Sequence, residues 1–135
     1  MSDIPNLECN VNAHSIIYPS EDPQKVRYSI DNVILNAEIK IINNNIYATS
    51  NRIDSLLKIH NTISIRKTNK IYKYKLCSNL HNDQTWVYLN KQAAYANSIV
   101  ICNDIEESPL GPIKVNISST DIIKLITWMI DTKIN

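Results

Sequence analysis

A chain of 135 residues, 44% hydrophobic and 20% charged, has the composition of one globular domain and is long enough to bury about two-thirds of its unfolded surface. Its formal net charge of +1 supplies no global field for drawing in nucleic acid or an anionic membrane. The single glycine excludes Gly-rich phosphate loops and dinucleotide turns, and Cys9, Cys77 and Cys102 lack the paired spacing of a zinc site.

Two biases stand out, 24 Ile and 18 Asn, with no Phe at all. AT-rich codons account for both. Ile suits half-buried pleated surfaces, and Asn tolerates the left-handed corners that Gly usually occupies. The N-terminus has no basic-then-apolar leader, and no apolar run approaches the ~20 residues of a membrane span. A cytoplasmic or nuclear protein is expected, its cysteines reading as buried structural thiols, with Cys77 and Cys102 in apolar strands.

Residues 1–24 hold Pro5, Pro19 and Pro23 and read as an extended arm, with a single domain over 25–135. From Val26 the pattern has period two: Val26, Tyr28 and Ile30, then Val33, Leu35, Ala37, Ile39 and Ile41 against Asn36, Glu38 and Lys40. Asn43-Asn44-Asn45 makes a hairpin corner, with Ile46–Thr49 as the returning strand. Residues 51–60 fit a helical face through Ile53, Leu56, Leu57 and His60, and fit alternation through Leu57, Ile59, Ile63 and Ile65. The thickening of β-branched residues after them favours strand. Thr62–Arg66 and Ile71–Cys77 read as a second hairpin across Lys67-Thr68-Asn69-Lys70.

Thr85–Leu89 is a predicted strand with Trp86 and Tyr88 on one side and Val87 and Leu89 on the other. Residues 91–97 allow one helical turn around Ala93 and Ala94, and Ser98–Cys102 is a short apolar run suited to a buried strand. Glu106–Pro112 is a loop. Ile113, Val115 and Ile117 alternate in a last strand. Ser118, Ser119, Thr120 and Asp121 then offer four capping side chains before a stripe of Ile122, Ile123, Leu125, Ile126, Met129 and Ile130 at helical spacing.

The fold class is α+β: a mainly antiparallel meander sheet or small barrel of six to seven strands, closed by a C-terminal amphipathic helix. That order of elements is similar to pleckstrin-homology-like barrels, by analogy of layout alone, and the resemblance implies a helix across one barrel opening.

Catalysis is not expected. His14, His60 and His81 are widely spaced, a Cys77–His81 pair reads better as an apolar cysteine and a loop histidine, and Asp104, Glu106 and Glu107 read as a solvated run. No residue set points to a cofactor or a metal. The expected role is a non-enzymatic protein-binding, adaptor or assembly subunit. Its contact is Trp128, which lies off the apolar stripe among Lys124 and Asp131 on the outer face of the helix; the alternative for Trp128 is burial, if the helix is covered on two sides, for example by the N-terminal arm. The partner is then another protein or a second copy.

The alternative is a nucleic-acid-binding sheet of OB-like type. Residues 58–91 hold seven basic side chains against one acidic, and Arg66, Lys67, Lys70, Lys73 and Lys75 interleave with Tyr72 and Tyr74. Cations for phosphates and rings for bases are what single-strand binders combine.

Overall fold

The computed structural model describes residues 4–103 and 110–131. Strand β1, Cys9–Ile16, is followed by helix α1, Pro23–Val33, the hairpin of β2, Glu38–Ile42, and β3, Asn45–Ser50, and a 3-10 turn at Ile53–Leu56. Helices α2, Leu57–Arg66, and α3, Asn69–Ser78, come next, then β4, Gln84–Leu89, and α4, Lys91–Tyr95. Strand β5, Ile101–Cys102, strand β6, Ile113–Ser119, and helix α5, Ile122–Met129, complete the described chain. The acidic run Asp104, Glu106 and Glu107 lies outside the described residues.

The sheet is open and antiparallel, in the order β2-β3-β1-β6-β4-β5. It is neither a meander nor a barrel. The first and last strands lie side by side at its centre, with Val11 opposite Ile117 and Ala13 opposite Val115. Residues 9–16, placed in an extended arm by sequence, are therefore the middle of the fold. Their alternation of Cys9, Val11, Ala13 and Ser15 with polar residues is that of a strand with one face buried.

The predicted strand from Val26 is a helix. Asp22 caps it by accepting from the Gln24 N–H, and Pro23 occupies the first turn, where its missing donor costs nothing. Val26, Ser29, Ile30 and Val33 form its buried stripe, while Tyr28 is 53% exposed. Spacings of three and four residues beat the spacing of two. The β2–β3 hairpin stands as predicted, though β2 starts at Glu38. Its corner has Asn43 at φ 47° and Asn44 at φ 63°, the double left-handed conformation of a type I′ turn.

The predicted second hairpin is two helices. Lys67, at φ 54°, ends α2 in the left-handed conformation, donating back to the Ile63 and Ser64 carbonyls, and Thr68 N–H also reaches the Ile63 carbonyl. Ile59, His60 and Ile63 are the buried face of α2, and Tyr72 and Leu76 that of α3. Trp86 and Tyr88 do share a face of β4 opposite Val87 and Leu89, α4 supplies the predicted helical turn, and only Ile101–Cys102 of the predicted buried run is strand.

At α5, Asp121 accepts from the Lys124 N–H, and Ser119 Oγ accepts from the Asp121 N–H. The helix packs against α2 and β6, beside an open sheet. The buried alternates of β1, β4 and β6 meet Ile30, Ile59, Ile63, Leu125 and Met129 in one core. The helices thus cover one face of the sheet, and no described element covers the other.

Among the described residues, one ion pair, Lys91 with Glu21, has both side chains buried within this frame. Lys91, 3% exposed, donates to the carbonyls of Ile16 and Leu110 and to the Glu21 carboxylate, tying the end of β1 to the entry of α1. Burial lowers its pKa, against the pull of Glu21.

Candidate nucleic-acid interface

From Lys58 to Lys75 the chain carries six basic side chains and no acidic one. Folding places them along the α2–α3 corner rather than on a hairpin. Arg66 donates to Ser98 Oγ at 2.9 Å, Lys75 to the Asn103 carbonyl at 2.8 Å, and Lys58 to Asn97 Oδ1. Those three cations lean on the segment that follows α4. Lys67, Lys70 and Lys73 stay exposed. Among the described residues no carboxylate pairs with any of the six.

The helical period also separates the two tyrosines, since residues two apart are turned by about 200°. Tyr72 is 2% exposed, and burial pushes its hydroxyl pKa far above the ordinary tyrosine value. Tyr74 is 69% exposed, with the Lys75 ammonium 6.0 Å from its ring. Lys70, Lys73, Tyr74, Cys77 and Ser78 line a shallow surface depression. Cys77, predicted as a buried thiol, is exposed there, whereas Cys9 and Cys102 are buried. The corner is a ridge of flexible point charges with one available ring. It suits phosphates rather than base edges.

The outer-face placement of Trp128 is corrected by the packing of α5. Its indole is 6% exposed and stacks on His60 at 4.4 Å with 9° between the planes. The indole N–H finds no acceptor among the described residues. Lys124 is exposed and Asp131 half-buried, so the structure does not gather the predicted trio into one accessible contact. The cause lies in α2: read as a strand, it supplies no second layer, and read as a helix it covers the far side of α5. His60 on the α2 face is the residue that signalled this.

A second surface was not foreseen as a unit. On the uncovered face of the sheet, His14, Tyr47, Trp86, Tyr88 and Lys114 are half-buried, interspersed with Asn12, Asn116 and Gln84. The signal was present in β4, whose alternation sets Trp86 and Tyr88 apart from Val87 and Leu89. Its significance depended on knowing that nothing described packs over them. Among the described residues no group of three His, Cys, Asp or Glu side chains could hold a metal ion, and no helix is long and apolar enough to cross a membrane.

These features define a small α+β protein with an open antiparallel sheet, a helical layer and a basic ridge that no carboxylate pairs with among the described residues. The sequence model of a family described as RNA binding matches residues 10–119. The chain belongs to that family. It is 33% identical over 121 residues to a UPF0201 protein of Methanothermobacter thermautotrophicus, covering 88% of this chain and 89% of that one. A UPF0201 protein of Sulfurisphaera tokodaii is 35% identical over 117 residues, covering 84% and 81%. Among solved structures, a UPF0201 protein from Methanococcus jannaschii superposes with a TM-score of 0.77 at 24% identity, over 90% of this chain and 99% of that one, which shows the shared fold.

Proposed function

We propose that this protein binds RNA without chemically altering it, and that the α2–α3 ridge holds the phosphate backbone. The observation that carries the reading is the run of six cations without an acid, inside the span matched by the RNA-binding family. Lys67, Lys70 and Lys73 carry it most directly, because their ammonium groups are exposed and unpaired among the described residues. Lys58, Arg66 and Lys75 frame the ridge from the side of residues 97–103. The adaptor reading loses its anchor with Trp128 buried, and the family description supports nucleic acid instead.

The test is RNA binding measured across a salt series. Each phosphate contact on a single strand steepens the log–log salt slope by about 0.7, so Lys67→Glu/Lys70→Glu/Lys73→Glu should weaken binding and flatten the slope by about 2. The thermal midpoint should hardly move, because the three side chains are exposed. Absence of binding at low salt, or a triple variant with unchanged affinity and slope, would sink the reading.

A further inference from the structure

The open face of the sheet differs chemically from an ordinary solvated strand surface. One row of side chains crosses it, with Lys40, Tyr47, His14, Lys114 and Tyr88 as successive cross-strand partners on β2, β3, β1, β6 and β4. The His14 and Tyr47 rings stack at 4.9 Å with 29° between planes. Across the sheet, Trp86 stands beside Tyr88 on the same face, centroid to centroid 4.8 Å, with the Lys114 ammonium 4.8 Å from the indole. Two clusters of rings result, each beside a lysine. Tyr47 and Tyr88 are three strand spacings apart, about 14 Å. Among the described residues the acid beside this row is Glu38, which pairs with Lys40 at 3.4 Å.

Between the clusters the surface is polar: Asn12 and Asn116 are cross-strand partners at its centre. A protein interface normally has an apolar centre and a polar rim, which is the reverse arrangement. Paired rings, nearby cations and a carpet of amides instead match unpaired bases. Rings stack on base faces, ammonium groups meet phosphates, and amides donate to and accept from base edges. A duplex hides its base faces, so it offers these rings nothing to stack on.

The platform is also joined to the ridge. Asn79, which caps the C-terminus of α3, donates to the Trp86 carbonyl at 2.8 Å, and Thr85 Oγ1 donates to the Leu76 carbonyl at 2.5 Å. The strand that bears Trp86 and Tyr88 is therefore strapped to the helix that bears Lys70 and Lys73. From this geometry we infer that the open face is a stacking platform for single-stranded RNA, with bases on the Tyr47–His14 and Trp86–Tyr88 clusters. The inference rests on the RNA-binding reading and specifies its ligand.

The experiment compares a short oligouridine strand with a blunt RNA duplex of the same length. Trp128 is 6% exposed and Trp86 half-buried on the open face, so quenching of tryptophan fluorescence by oligouridine reports on Trp86. Trp86→Ala/Tyr88→Ala and, on the opposite half of the sheet, Tyr47→Ala should each weaken single-strand binding about ten-fold or more while leaving duplex binding unchanged. Trp86→Phe should keep the affinity and lose the quench. Equal affinity for strand and duplex, unmoved by these substitutions and without quenching, overturns the platform and leaves the ridge standing. Failure to bind either probe at low salt overturns the RNA reading itself. A dimer that dissociates in Trp86→Ala/Tyr88→Ala would show a second copy covering the face, and overturns the platform as well.

Discussion

The two faces of the central strands differ in what they contribute, although the same residues' neighbours make both. Toward the helices, β1, β6 and β4 send Val11, Ala13, Val115, Ile117, Val87 and Leu89, each at most 1% exposed. Toward solvent they send Asn12, His14, Lys114, Asn116, Trp86 and Tyr88. A one-residue slip would exchange the two sets, so the buried face sets the register that lays out the open one. Stability is concentrated on the first, and the proposed recognition chemistry on the second.

That division is open to breakage in several places. The largest effect is expected at Trp128, where Ala should cost about 3–5 kcal/mol by removing the ring that α5 packs on α2. Chemical denaturation that found Trp128→Ala neutral would return the residue to the surface. Ile117→Ala, on the covered side of the central strand β6, should cost about 2–4 kcal/mol in the same measurement.

Tyr72 tests the helical layer through pH. Its folded hydroxyl keeps its proton above the ordinary value of 10.0, because burial disfavours the phenolate. Above that value the folded state therefore binds more protons than the unfolded one, and stability should fall by up to about 1.4 kcal/mol per pH unit. Tyr72→Phe should flatten this alkaline decline, and an unchanged slope would place the titration elsewhere. The smallest effect belongs to the open face: Asn116→Ala should stay within about 0.5 kcal/mol of the parent. A cost near that of its neighbour Ile117→Ala would erase the contrast between the faces.

Legibility followed from how many periods a segment satisfied. Residues 38–50 carry strand alternation and the Asn43-Asn44-Asn45 corner, so the hairpin could be read directly, while the pairing of Asn45 with Ile42 came from the structure. In α1, Val26 and Ile30 are compatible with spacings of both two and four, and the deciding signal was local, the Asp22-Pro23 cap. In α2 and α3 the β-branched Ile59, Ile63, Ile65 and Ile71 weighed toward strand, but β-branched residues disfavour helix only weakly and burial overrides them. The same misreading put Tyr72 and Tyr74 on one face and left Trp128 without a cover. Both errors about candidate residues descend from it.

By itself the sequence determined the features that depend on near neighbours. These are the corner asparagines, the alternation of β4 and β6, the Asp121 cap with its apolar stripe, and the run of unopposed cations between Lys58 and Lys75. Tertiary structure decided which elements lie against which. It set β1 beside β6, wrapped α2 over Trp128, turned Tyr74 outward and left one side of the sheet uncovered by any described element. The reason is physical: capping, turn geometry and side-chain period act within a few residues, whereas burial is a relation between segments up to 111 residues apart, as in the bond from Ser119 Oγ to the Glu8 carbonyl.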